Sequence, residues 1–191
     1  MIYEHNSTIN IDTIFYYYNF IEKIKKQYPD ANWVDCLSKG QIKSKLWLID
    51  NLLNIKKDLG TIFILGGWYG TLSRFIFESE LKLDCIRSFD LDDCCYEIAE
   101  TINRSFVMDN WKFKATTLNI FNINYPLSYD TLRRNGTAVK IEENPDTIIN
   151  TSCEHMIDDW FIDVPDKTLV ILQSNDFEEA KGHINCVEDI N

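Results

Sequence analysis

No run of eighteen apolar residues occurs anywhere in this chain, so a membrane-spanning helix is not expected. The opening residues Met1-Ile2-Tyr3-Glu4-His5-Asn6 lack a basic segment followed by an apolar one, and a secretion signal is not expected either. The six cysteines (Cys36, Cys85, Cys94, Cys95, Cys153 and Cys186) include no C-x-x-C pair, which favours a reduced, intracellular and cytoplasmic protein over a disulfide scaffold. Histidine is scarce at three, and no H-x-x-x-H spacing occurs. A metal held by Cys153, Glu154, His155 and His183 is therefore not expected. Internal repeats and low-complexity segments are also missing. Positive charge is in deficit: nineteen Lys and Arg face thirty Asp and Glu, for a net charge of −11, and residues 141–191 carry the whole imbalance. An acidic surface repels phosphate backbones and forgoes the counterion release that drives nucleic-acid binding, so a DNA or RNA partner is disfavoured.

What remains is a folded protein. The apolar fraction of 45% and aromatic fraction of 13% over 191 residues suit one domain with a good core. Residues 1–59 read as a helical extension packed on that domain. A first helix, capped by Ser7 or Asn10, runs to about Tyr28 with Ile11, Ile14, Phe15, Tyr18, Ile21 and Ile24 on one face. A loop with Trp33 and Cys36 leads to a second helix ending near Asn54, with Ile42, Leu46, Ile49 and Leu53 inward. Residues 60–191 then alternate strand and helix, with strands expected near 61–65, 85–89, 112–117, 146–151 and 168–173. Helices are expected near 71–79, 93–106 and 154–160, the second of them opened by Cys94-Cys95. Apolar runs such as Thr61–Leu65 suit strands covered on both faces, as in a parallel sheet. Residues 125–145, with Pro126, Asn135-Gly136 and Pro145, read as irregular or as one short helix.

The informative stretch is Ile62-Phe63-Ile64-Leu65-Gly66-Gly67-Trp68-Tyr69-Gly70, followed by Ser88-Phe89-Asp90-Leu91-Asp92. An apolar strand enters a glycine turn, a helix follows, and a second strand ends in a carboxylate. This is the first half of a nucleotide-binding α/β sheet. Glycine lets the backbone approach a ligand without a Cβ in the way, and Asp90 at the strand end can accept hydrogen bonds from both hydroxyls of a ribose. An adenosine-type cofactor is expected.

With the strands placed, residues 60–185 resemble a class I S-adenosylmethionine-dependent methyltransferase. In the frame of that family's first motif, an acidic residue before G-x-G-x-G, the chain has Ile64-Leu65-Gly66-Gly67-Trp68-Tyr69-Gly70, with Ile64 at the acidic position and Trp68 at the middle glycine. Asp90 matches the ribose ligand, Asn119-Ile120 the adenine-edge motif, and Asn150-Thr151-Ser152-Cys153-Glu154-His155-Met156-Ile157-Asp158 the L-E-H-V-x-D segment of small-molecule methyltransferases. The resemblance implies a Rossmann-like three-layer α/β sandwich with S-adenosylmethionine as cofactor and a small-molecule acceptor. It places Gly66, Gly67, Trp68, Tyr69, Gly70, Asp90, Leu91, Asn119, Ile120, Asn150 and Ser152 against the cofactor. The family sheet ordinarily continues into an antiparallel hairpin, whereas the fifth strand here is followed by few residues. A mainly parallel five-stranded sheet is thus expected, its last edge covered by a second copy, another chain or the acidic tail.

The sulfonium cofactor carries its own activation, so the protein has to align donor and acceptor and exclude water. Where the acceptor must lose a proton, His155 is the natural base, with Glu154 beside it; the pair also suits the start of a helix, where an acidic residue is favourable. Trp68 and Tyr69 either wall the pocket or fill core beneath it. Gln41 and Lys45 can reach over the cofactor carboxylate or lie on a helix surface, and His183 and Asn185 can line the acceptor side. A non-catalytic binding module of the same fold and a nicotinamide-dependent oxidoreductase are the other readings of these residues.

Overall fold

The structure, a computed structural model, describes residues 11–55, 58–132, 136–174, 183, 184 and 186. Its centre is a parallel sheet of β1 (Thr61–Leu65), β2 (Cys85–Asp90), β3 (Phe113–Thr117), β6 (Thr147–Asn150) and β7 (Leu169–Leu172), in the order β3-β2-β1-β6-β7. Successive strands on one side of β1 and later ones on the other make β1/β6 the switch point, where open α/β sheets leave a crevice beyond the carboxyl ends. All five strands fall where the alternation of apolar runs and breakers placed them. No helix among the described residues is long and apolar enough to cross a membrane.

Alternation along β1 sorts its residues between two cores. Ile62 and Ile64 join Ile86, Phe113 and Ile149 on the face covered by α3 (Lys39–Ile55), α4 (Thr71–Phe77) and α5 (Cys95–Ile102). Phe63 and Leu65 join Phe89, Ile148 and Trp160 on the other face, which is covered by the connections around Leu118–Leu127 and Met156–Val164. A third cluster seats α1 (Ile11–Gln27) and the short α2 (Trp33–Cys36) on α5 through Ile24, Trp33, Cys36 and Ile98.

Five expectations need correction. Residues 125–145 hold an antiparallel hairpin of β4 (Leu127–Leu132) and β5 (Ala138–Glu143), paired from Leu127 with Glu143 to Leu132 with Ala138. Alternating half-buried Val139, Ile141 and Glu143 with exposed Lys140 and Glu142 is a strand pattern that the charged residues conceal. The hairpin docks through buried Arg87, which forms a bidentate pair with Glu143 at 2.6 and 2.5 Å, while Tyr129 donates its hydroxyl to the same carboxylate at 3.1 Å. Next, α3 is turned from its expected face: Lys45, Leu48, Ile49 and Leu52 are buried and Leu46 is exposed, because the inward stripe includes a lysine that an apolar-only reading skips. In α1, Ile24 is inward but Phe15 and Tyr18 are exposed, and the side chains of Ile11 and Ile14, like Ser7 and Asn10, lie outside the described residues. Finally, the helix expected over 93–106 divides into α5 and α6 (Arg104–Met108) at fully buried Asn103. The Asn103 amide donates to the carbonyls of Gly70 and Ala99 at 3.0 Å each and competes with helix continuation. The segment expected to be helical over 154–160 is two 3-10 turns, Cys153–His155 and Asp158–Phe161.

Candidate functional site

Two adjoining cavities open at the carboxyl ends of β1, β2 and β6. The first, about 270 Å³, is bounded by the glycine turn, Gln41 and Lys45, Asp90, and Glu154 with His155. The second, about 360 Å³, runs along Leu91, Leu118, Asn119, Ile120 and Met156. They share Gly66, Asp90, Ser152 and His155, and so form one elongated cleft with a polar end and a more apolar end.

The turn after β1 is shaped by backbone. Gly66 has φ +67°, and a Cβ there would meet the Ser152 side chain at 2.8 Å, filling the cleft where its two parts join. Trp68, with φ +47°, is held in an unfavourable left-handed conformation for a residue with a side chain. What holds it is Asp90: the Trp68 N–H donates to Asp90 Oδ2 at 2.7 Å, and the Asp92 N–H donates to Oδ1 at 3.0 Å. Each oxygen of the carboxylate thus keeps capacity for a further donor while its orientation is fixed. The turn is also fastened to β2 by the Gly67 N–H donating to the Phe89 carbonyl at 2.9 Å.

The opposite rim comes from the end of β6. Fully buried Asn150 accepts the Ser152 N–H at 2.9 Å and donates to Met156 Sδ at 3.1 Å, and Ser152 Oγ donates to the Gly66 carbonyl at 3.3 Å. This bracing aims the next residues at the cleft. The Glu154 side chain is 10% exposed and that of His155 is 48% exposed, with Nε2 of His155 3.9 Å from Glu154 Oε1. His183 lies against His155, ring centroids 4.7 Å apart, and Asn185 lies outside the described residues.

Over the polar end, Lys45 is buried and donates its ammonium to Gln41 Oε1. Burial pulls the lysine below its ordinary range, and neighbouring Cys36 and Asp35 oppose that only partly. The Cys36 thiol itself is pushed up to about 11 by burial, which leaves it protonated and unreactive at neutral pH.

Of the residues expected at the cofactor, Gly66, Gly67, Trp68, Asp90, Leu91, Asn119, Ile120 and Ser152 line the cleft, as do Glu154 and His155. Three do not. Tyr69 is buried beneath the turn, stacked on Trp68 with centroids 4.9 Å apart and accepting the Asn32 N–H at 3.1 Å. Gly70 caps α4 and has Asn103 and Ala99 behind it, and Asn150 acts through Ser152. Asn119 lines the second cavity, but its Oδ1 is engaged by the Phe121 N–H at 3.1 Å, capping a short turn. Sequence reasoning missed Thr71, Leu72 and Thr151 in the first cavity and Phe121 and Met156 in the second. The signal was their adjacency to the motifs, since residues next to a strand end share its rim.

No protein-family model matches the chain, and no curated protein sequence is similar to it. Solved structures are similar in fold. The N-methyltransferase NodS from Bradyrhizobium japonicum WM9, in complex with S-adenosyl-L-homocysteine, superposes with a TM-score of 0.51 at 13% identity, over 83% of this chain and 74% of that one. A Methanococcus maripaludis protein proposed to be an S-adenosyl-L-methionine-dependent methyltransferase gives a TM-score of 0.46 at 17% identity, over 75% of this chain and 57% of that one. An S-adenosylmethionine-dependent methyltransferase from Clostridium acetobutylicum gives 0.39 at 16% identity, over 74% and 47%. The chain thus spans about half the length of the latter two structures. The chain has a Rossmann-like α/β fold, similar to that of NodS.

Proposed function

We propose that the chain binds S-adenosylmethionine in this cleft and transfers its methyl group to a small-molecule acceptor. The observation that carries the reading is the Asp90 carboxylate at the end of β2, oriented by the Trp68 and Asp92 N–H groups at the mouth of the glycine turn. A ribose placed there can donate both hydroxyls to one carboxylate, with the adenine along Leu91, Asn119 and Ile120. The charges at the other end suit the rest of the cofactor. Lys45 offers a cation for the methionyl carboxylate, and Asp90 and Glu154 offer anions for a ligand with an ammonium and a sulfonium.

Methyl transfer is a displacement in which the acceptor lone pair attacks the methyl carbon and the sulfonium leaves as a neutral thioether. The turn and Asp90 fix the donor, and holding the acceptor in line supplies most of the acceleration. His155, on the opposite rim, takes the acceptor's proton where one must leave, with Glu154 stabilising the imidazolium. The test is equilibrium titration with S-adenosylmethionine, S-adenosylhomocysteine and NAD. Binding of the first two without the third supports the reading. Binding of NAD alone points to hydride chemistry instead, and no binding of any of the three removes it.

A further inference from the structure

The two histidines and the glutamate on the β6 rim come together in a way their spacing does not announce. Glu154 and His155 are neighbours on one 3-10 turn, while His183 follows β7 in the chain. One donor atom from each of the three lies within 4.8 Å of the others. The segments are joined by backbone, since the Ile184 N–H donates to the Glu154 carbonyl at 2.7 Å. The imidazoles stand edge to face with an interplanar angle of 78°, and Cys186 Sγ lies 3.6 Å from His183 Nδ1, where it can orient the ring.

We propose that Glu154, His155 and His183 bind a divalent transition-metal ion at the rim of the cleft. Two imidazoles and one carboxylate form the borderline donor set that suits ions from Mn²⁺ to Zn²⁺, whereas Ca²⁺ and Mg²⁺ prefer oxygen alone. Metal–ligand bonds of about 2.1 Å bring donor atoms to roughly 3–3.5 Å of one another. Closing from the present 3.9 Å between His155 Nε2 and Glu154 Oε1 takes a side-chain rotation, which the half-exposed His155 can supply. The buried carboxylate anchors the ion, and three ligands leave positions for a group from the cleft, which Glu154 and His155 both line.

What the ion does there rests on the methyl-transfer reading. An acceptor hydroxyl coordinated to it loses its proton to solvent more readily. The oxygen lone pair then forms the bond to the methyl carbon, the carbon–sulfur bond breaks, and its electrons stay on the departing thioether. The acceptor class is then an alcohol or phenol; with the ion bound His155 is its ligand, and in the ion-free protein His155 remains the base.

The experiment is titration of the metal-stripped, untagged full chain with Co²⁺, whose visible absorption reports nitrogen and oxygen ligation, followed by displacement with Zn²⁺. One equivalent of Co²⁺ should bind in the micromolar range, with His183→Ala weakening it at least tenfold and Glu154→Gln acting in the same direction. Absence of Co²⁺ binding up to millimolar concentration overturns the proposal, and so does wild-type Co²⁺ affinity in His183→Ala. S-adenosylhomocysteine titrated into the same variants separates the two readings. Retained cofactor affinity beside lost Co²⁺ binding in His183→Ala supports the site in a folded protein. Co²⁺ binding that depends on His183 without any cofactor binding supports the metal site and removes the methyl-transfer reading.

Discussion

The two rims of the cleft are built from different materials. On the β1–β2 side, backbone does the work: a glycine at φ +67°, a tryptophan held at φ +47°, and a carboxylate clamped by two N–H groups. On the β6 side the work falls to side chains: Asn150 and Ser152 brace the rim, and buried Glu154 and half-exposed His155 follow them. A backbone-built rim has one shape and suits an invariant ligand part such as a ribose. Side chains that can rotate suit an acceptor and the movement of a proton. On the proposed reading, binding falls to one rim and chemistry to the other, and substitutions can break that division.

The largest effect is expected at the side-chain rim. His155→Ala should lower turnover by roughly 10²–10⁴-fold, the usual range for a lost acid–base group, while the affinity for S-adenosylhomocysteine stays within about twofold. Single-turnover kinetics beside calorimetric titration checks both halves, and a parallel loss of affinity would erase the distinction between the rims. Gly66→Ala comes next. Its Cβ would lie 2.8 Å from Ser152 at a φ that side chains rarely adopt, so stability should fall by about 1 kcal/mol or more, and affinity about tenfold. Thermal melts with and without ligand read the two effects apart.

Lys45→Met should have a smaller effect, an affinity loss of about fivefold or about 1 kcal/mol, the ordinary worth of one hydrogen bond. The pH dependence sharpens it. Carboxylate binding requires the ammonium, and burial sets this lysine below its ordinary 10.5. Affinity should therefore be complete below the lowered value, decline as pH rises through it, and be flat over the same range in Lys45→Met. Titrations from pH 7 to pH 10 decide it.

Sequence made the backbone rim legible because its signals are local. A strand, a glycine turn and a strand-ending Asp90 occupy one short stretch, and all five parallel strands lie near the places expected of them. Where contacts between distant residues set the outcome, the reading failed. Tyr69 has the sequence position of a pocket residue, yet Trp33 and Asn32 draw it into the core, ring centroids 5.5 Å apart in the case of Trp33. The β4–β5 hairpin was hidden because Glu143, a poor strand residue in isolation, is matched by Arg87 from another element. For Lys45 a helix surface and a reach over the cofactor carboxylate were both open from sequence, and the structure buries it against the cleft. The meeting of His155 with His183 likewise depends on a return of the chain that no spacing rule anticipates.

The central claim is that Asp90 is the anchor of an S-adenosylmethionine site. Its direct test is calorimetric titration of the wild-type chain and Asp90→Ala with S-adenosylhomocysteine, with thermal melts confirming that the variant is folded. The account predicts one site of micromolar affinity in the wild type and a loss of about a hundredfold or more in the variant, the scale of two charged hydrogen bonds. Equal affinity in the two proteins would contradict it.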